Sequence, residues 1–211
     1  MRWKMSGKKT RRADLGVHEP SRDRCLGLIE IDSVPSGLAC ADGLVKEAPV
    51  RVLASRPITP AKYLVIFEGD VESVRRCLAR ARELAGGRFL GDTNLPHPHP
   101  ELLDGLQGRM PKTEIDAVGI LQTTTVSSCL QALDAALKEG EIHLLELRLA
   151  MGLGGSAFFS VTGEVSQVGV AMEAAKRVAG AAAADSVVIS QPDPEFHSFL
   201  QEAPSPFTDL I

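Results

Sequence analysis

The feature that most constrains this chain is an internal repeat. The residues that follow Cys25 return 92 positions later, and after one loop that is two residues longer in the second copy they return 94 positions later. Matched pairs keep the same order in both copies: Gly27 and Gly119, Val34 and Val126, Leu38 and Leu130, Asp42 and Asp134, Gly69 and Gly163, Val74 and Val168, Pro98 and Pro192. An ordered series with one insertion indicates a tandem duplication. We therefore expect two copies of one small domain.

Hydrophobic periodicity predicts the same six elements in each copy. The predicted strands are residues 25–31, 50–55, 63–67 and 89–95 in the first copy, and 117–123, 142–149, 157–162 and 186–190 in the second. A helix follows the first strand of each copy, and an acid (Asp70 or Glu164) opens a second helix after the hairpin. The order β-α-β-β-α-β predicts an α+β, ferredoxin-like fold. Each domain would be a four-stranded antiparallel sheet with helices on one face.

The repeat also sets the expected domain boundaries. Residues 25–105 form the first domain, 106–116 a linker and 117–203 the second domain, before a C-terminal tail at 204–211. Residues 1–24 are expected to be a flexible basic tail, because Met1 to Arg12 carries six Lys and Arg residues and no acid. The alternative for this tail is a binding arm for an acidic partner or nucleic acid.

Composition excludes several classes of function. A formal net charge of −4 offers no electrostatic case for nucleic acid as the main partner. No apolar run approaches the length of a membrane span, and no apolar stretch follows the basic N-terminus as in a signal peptide. Four scattered cysteines without a C-x-x-C pair are typical of reduced, buried thiols. These features predict a cytosolic protein with no membrane partner.

Sequence motifs for catalysis or metal binding are weak. The glycine loop at residues 151–156 joins two predicted strands, whereas a dinucleotide-binding loop opens a helix, so close backbone approach is the favoured interpretation. His97 and His99 have no further ligand placed beside them by sequence, which favours a surface turn over a metal site. Thr59 is a candidate nucleophile without a nearby histidine to activate it. We predict no metal site and no enzyme activity.

Several segments together carry a family resemblance. Residues 41–48 and 133–138 resemble the A-D-x-x-x-K-x-A helix of bacterial microcompartment shell proteins, and residues 69–74 and 163–168 resemble the turn into their second helix. Residues 95–99 are similar to that family's I-P-R-P-H segment, and residues 148–157 resemble the pore-loop region of its tandem-domain, trimer-forming class. The resemblance covers residues 26–196 in the unpermuted strand order.

The resemblance implies a homotrimer with pseudo-sixfold symmetry. Such a trimer would tile a polyhedral shell in the cytoplasm beside single-domain hexamers and vertex pentamers, and would pass small polar metabolites through a central pore. The implied pore residues are Ile58, Thr59, Pro60, Ala61 and Lys62 from the first copy, with Gly152, Leu153, Gly154, Gly155 and Ser156 from the second. The implied tile-edge residues are Lys46 and Lys138, together with His97 and Gln191, which stand where the family carries an arginine.

A related trimer of the propanediol type carries an iron–sulfur cluster on a cysteine of its first-copy loop. The matching position here is Thr59, so the resemblance implies no cluster and no other cofactor at this pore. Two other classes of function stay open from the residues alone. One is a metabolite-binding regulatory module on the duplicated ferredoxin-like scaffold, and the other is an enzyme with its site at the seam between the domains.

Overall fold

A computed structural model describes residues 24–197 and Leu200. Most of the predicted basic tail (residues 1–23) and the whole predicted C-terminal tail (residues 204–211) lie outside the described residues. Between these limits the chain forms two domains of the same fold. The first contains β1 (Arg24–Ile31), α1 (Val34–Glu47), β2 (Arg51–Ile58), β3 (Lys62–Asp70), α2 (Val71–Ala85) and β4 (Phe89–Pro96).

A short helix, α3 (Pro100–Gly105), leads to the second domain. That domain contains β5 (Ala117–Thr123), α4 (Val126–Glu139), β6 (His143–Leu149), β7 (Ala157–Gly163), α5 (Val165–Ala179) and β8 (Ala183–Ile189). The strand orders are β2-β3-β1-β4 and β6-β7-β5-β8, and every pair is antiparallel. The predicted β-α-β-β-α-β order and the two four-stranded antiparallel sheets are confirmed.

Side-chain caps explain where three of the four long helices begin. Ser33 accepts a hydrogen bond from the Ser36 N–H at the start of α1, and Thr125 accepts one from Ser128 at the start of α4. Asp70 caps α2 in the same manner, as the acid at this position predicts. Glu164 occupies the corresponding position before α5 but makes no capping hydrogen bond there.

Each sheet packs one face against its own helices. In the first domain Ile29 and Phe67 lie in a buried cluster with residues of α1 and α2. Leu26 and Leu28, which point to the opposite face of β1, belong to a second cluster that includes Leu130 of α4. The second domain therefore covers the face of the first sheet that its own helices leave open.

The structure differs from the predictions in the segment after β4. The sequence indicates a proline-rich turn followed by a linker, whereas residues 100–105 form α3. Pro100 suits the first turn of a helix, the His99 side chain accepts a hydrogen bond from the Glu101 N–H, and Leu102 and Leu103 are buried. Short 3₁₀ helices at Gly86–Arg88 and Gly180–Ala182 also escaped the prediction, and β8 begins three residues before the predicted strand.

The first helices of the two domains differ in how much of their apolar surface is buried. Apolar residues occupy positions 38, 41, 44 and 45 of α1, yet only Leu44 is buried. Their counterparts in α4 are all buried: Leu130, Leu133, Ala136 and Leu137. Two domains of one fold thus bury the same helix to very different extents.

The cysteines agree with the expectation of reduced, buried thiols. Cys25, Cys40, Cys77 and Cys129 are free and buried.

Among the residues that the structure describes, no helix has the length and apolar character needed to cross a bilayer.

Candidate functional site: two loops and an interdomain interface

The two predicted pore loops lie side by side within one chain. Gly155 has a φ of 92°, and a Cβ built there would lie 3.1 Å from the Thr59 carbonyl oxygen and 3.4 Å from Lys62 Nζ. Only glycine combines this backbone conformation with so close an approach. The loop between β2 and β3 therefore requires a glycine at position 155, whereas Gly152 and Gly154 have open space around them and are favoured by their positive φ alone.

Most of the predicted pore residues reach solvent in the single chain. Two do not, because Ile58 is buried in the shared core and Gly155 is covered by the neighbouring loop. The others are exposed or partly exposed: Thr59, Pro60, Ala61, Lys62, Gly152, Leu153, Gly154 and Ser156. The structure thus brings the two sets of predicted pore residues to one end of the seam between the domains.

The predicted edge residues occupy separate places on the surface, and all four are exposed. Lys46 pairs with Asp42 one helical turn earlier in α1, and Lys138 pairs with Asp134 in α4, 2.6 Å from the carboxylate. His97 has a φ of 51° in the turn after β4, and Gln191 follows β8. Both lysines thus pair with an aspartate one turn earlier, but Asp42 is exposed whereas Asp134 is buried, and the two turns also differ.

A buried glutamate lies under the N-terminus of α4. Glu30 of β1 is 1% exposed and accepts a hydrogen bond from the Ser127 N–H at 2.7 Å. Its other carboxylate oxygen has no hydrogen-bond partner among the described residues. Burial raises the pKa of Glu30, while the Ser127 N–H, the Lys62 charge and the Val126 N–H act against that rise. The N-terminus of α4 and one lysine thus stabilise the charged form of a carboxylate that burial destabilises.

The raised pKa of Glu30 predicts a pH dependence of stability. The folded chain holds this proton more tightly than the unfolded chain, whose glutamate has the ordinary pKa of 4.5. The free energy of unfolding of the wild type should therefore fall, relative to Glu30→Gln, as the pH rises from 4.5 through the folded-state pKa. Urea denaturation of both proteins at a series of pH values measures this difference. Glu114→Gln, which changes an exposed linker glutamate, should follow the wild type throughout.

Polar side chains complete the contact between α4 and the first sheet. Thr93 of β4 hydrogen-bonds the Ser127 hydroxyl, and Gln131 donates to Thr93 Oγ1 at 3.2 Å. The Ser127 hydroxyl also lies 2.9 Å from the Asp92 carbonyl oxygen. The interface inside one chain is therefore polar where α4 begins and apolar along Leu130.

The segment around α3 makes hydrogen bonds at the other end of this interface. The His99 N–H donates to Asp134 Oδ1 at 2.8 Å, and Asp134 is only 5% exposed. Glu101 accepts from the Leu144 N–H at 2.9 Å and lies 2.8 Å from His143 Nδ1. Residues beyond the first sheet thus reach across to α4 and β6 of the second domain.

Sequence reasoning did not single out Glu30, Ser127 or Asp134 as interface residues. A signal for the first two was present, because the repeat replaces Glu30 by Gln122 and Ser127 by Pro35. Asp134 matches Asp42 and carries no such signal. Comparison of the two copies position by position would have identified the first pair but not its burial.

Both domains match a known protein family. The model of the BMC domain family matches residues 25–98 and 117–192. The bacterial microcompartment shell protein PduT of Citrobacter freundii is 33% identical over 157 residues, which cover 74% of this chain and 85% of that protein. The bacterial microcompartment shell protein EutK of Salmonella typhimurium is 28% identical over 120 residues, covering 54% and 73%.

One solved structure matches nearly the whole described chain. It is a microcompartment protein from Desulfitobacterium hafniense, with a TM-score of 0.76 and 34% sequence identity. The match covers 83% of this chain and 98% of that one, so the two domains are arranged in a similar way in both proteins.

Proposed function

The chain belongs to the BMC-domain family of bacterial microcompartment shell proteins, in their tandem-domain class, and we propose that three copies close into a flat ring around a central pore. The role of the protein is structural: it is a component of a microcompartment shell, which lies in the cytoplasm. The ring, its three-chain composition and the pore are our proposal. We further propose that the chain has no catalytic activity of its own, in keeping with the structural role of the family.

A difference in burial between matched residues carries the proposal. Leu130 and Leu137 of α4 are 0% and 4% exposed, whereas their counterparts Leu38 and Val45 of α1 are 55% and 51% exposed. The two domains share one fold, so the extra burial of α4 comes from its contact with the first sheet. The outer face of α1 is therefore the unused copy of a surface that is buried elsewhere in the same chain.

The matching partner surface on the second domain is covered at one end, where Leu200 packs on Val118 and Leu145, and is open around β8. In the first sheet, Thr93 of β4 is 1% exposed beneath α4, whereas its counterpart Val187 of β8 is 48% exposed. Ile120 and Phe158, on the same side of the second sheet, are partly exposed. One chain thus offers the outer face of α1 at one end and the open face of the second sheet at the other.

Such a pair of surfaces favours a closed ring. The α1 face of one copy can pack on the second sheet of the next copy just as α4 packs on the first sheet. Contacts of this head-to-tail kind form a ring when the rotation closes. Six domains related by equal rotations correspond to three chains. The loops at residues 58–62 and 152–156 would then alternate around the axis.

Electron microscopy of the purified protein tests the proposal, alone and together with a single-domain shell protein. Trimeric rings that enter sheets or closed shells are expected. Small oligomers that bind a metabolite saturably and never form sheets would instead favour the regulatory module. Vertex pentamers and single-domain hexamers are the proposed neighbours in the complete shell.

The proposed tile edges lie at Lys46, Lys138, His97 and Gln191. Their exposure supports this placement, since no edge contact can form through buried side chains. Because His97 and Gln191 differ from each other and from the arginine of the family, we propose edges that select among neighbouring tiles.

Lys62 is proposed to set the charge preference of the pore. Its side chain lies beside Gly155, and three copies around an axis would attract anions. Lys62→Glu is expected to lower the entry of a small anion into closed shells by about threefold to tenfold. Shells loaded with an anion-quenched dye measure the rate, and uptake of a neutral solute is the control. Equal anion rates for the two proteins would contradict a pore-lining position for Lys62.

We propose that the pore holds no iron–sulfur cluster. Neither loop contains a cysteine, and thiolates are the ordinary ligands of such clusters. Thr59 offers only a hydroxyl at the position where a relative of the propanediol type carries its ligand.

A further inference from the structure

The interface inside the chain provides a template for the proposed contact between chains, and the two differ in chemistry. Inside the chain, the acidic Glu30 lies under the Ser127 N–H, and Thr93 and Gln131 hydrogen-bond beside it. On the two open faces the corresponding residues are Gln122, Pro35, Val187 and Ala39, all of them exposed. No charge and no hydrogen-bonded polar pair is repeated at these four positions.

The open faces also lack the groups that stabilise the buried carboxylate. The Ser127 N–H and the charge of Lys62 are the strongest of the influences that lower the pKa of Glu30 against the effect of burial. Proline has no N–H, so Pro35 cannot donate as Ser127 does. Lys62 is matched by Ser156, which carries no charge. An acid at position 122 buried against the outer face of α1 would lack both influences. Glu30 docked on that face would keep Lys62 of its own domain but would lose the Ser127 N–H, so either carboxylate would be destabilised.

We propose that Pro35 is a specificity residue that restricts the outer face of α1 to sheets with a neutral side chain at the position of Gln122. The second sheet of another copy of this chain satisfies that condition, with Val187 as an apolar contact. The first sheet of any copy does not, because it presents Glu30. The role of Pro35 rests on the proposed ring and determines which surfaces form it.

The restriction gives the chain a defined order of assembly. The first domain leaves the ribosome first and can fold before its own second domain arrives. At that stage its sheet, with Glu30, and its α1 face, with Pro35, are both open. Docking of one first domain on another would bury Glu30 against a proline. The mismatch therefore disfavours rings of first domains and leaves the Glu30 face free for α4 of the same chain.

Substitutions at this pair of residues in the full-length protein test the proposal. Gln122→Glu is expected to raise the dissociation constant of the trimer by about 100-fold, because it places an acid opposite Pro35. Pro35→Ala alone should change that constant by less than about threefold. The double variant Gln122→Glu/Pro35→Ala should recover at least about tenfold of the loss, since position 35 then has an N–H to donate. Sedimentation velocity over a dilution series measures each constant.

Two controls separate this mechanism from general damage to the interface. Gln122→Met, of similar length but uncharged, should keep the affinity of the wild type. Adding Ala39→Ser to Gln122→Glu places a hydroxyl nearby without a new N–H, and it should not rescue. A trimer that is indifferent to Gln122→Glu, or a defect that Pro35→Ala does not relieve, would overturn the specificity role and leave the ring standing. A wild type that stays monomeric would overturn both.

Discussion

Leu38→Asp is expected to convert the protein from trimers into monomers, with a dissociation constant at least about 1,000-fold higher. Leu38 is 55% exposed in the single chain, while its counterpart Leu130 is completely buried against the first domain. If the ring repeats that contact between chains, the new carboxylate would be removed from water without a partner. Native mass spectrometry at low micromolar protein measures the populations.

A matched control lies on the second domain. Val170 of α5 is 50% exposed, and its counterpart Arg76 pairs with Glu47 of its own domain rather than with the other domain. Val170→Asp introduces the same charge on an equally exposed valine and should leave the trimer intact. Dissociation by Val170→Asp to the same degree, or a trimer that survives Leu38→Asp, would contradict the proposed interface.

The second large effect is expected from Leu130→Ala. This side chain is fully buried where α4 meets the first domain, so its truncation should lower the free energy of unfolding by about 2–5 kcal/mol. The matched substitution Leu38→Ala removes the same atoms from an exposed face. At protein concentrations low enough for the trimer to dissociate, Leu38→Ala should lower the free energy of unfolding by no more than about 0.5 kcal/mol.

Denaturation at two protein concentrations distinguishes the two positions. Leu38→Ala should reduce only the part of the stability that rises with protein concentration, because that part comes from association. Leu130→Ala should reduce the stability equally at both concentrations. Equal losses from the two variants in the monomer would mean that α1 and α4 have equivalent surroundings, against the burial in the structure.

Several elements could be predicted because they depend on local pattern. The alternation and spacing of apolar residues, the acid at Asp70 and the glycines before each second helix reappear in both copies and predict the same fold twice. The α3 helix could not be predicted in this way. Its six residues have little intrinsic stability, and Leu102 and Leu103 form it because the second domain offers them a surface to cover.

The candidate site likewise has one part that could be predicted from the sequence and one part that could not. The two loops were identified from the sequence by their resemblance to a known family, and the structure places Gly155 against Thr59. The interface around Glu30 was not identified, since a single glutamate in a strand gives no indication of what will lie above it. The role of Glu30 depends on its hydrogen bond with the N–H of Ser127, which is 97 residues away in the chain.

The amino-acid sequence by itself determined the duplication, the order of elements in each copy and the family to which they are similar. Only the tertiary structure decided which of two matched surfaces is covered. Leu38 and Leu130 are the same residue at the same position of the same fold. Their burial differs because the connection between the domains brings the first sheet to α4 and leaves α1 without a partner in its own chain. The burial of a side chain depends on the surface that packs against it. The spacing of apolar residues within one helix does not specify that surface.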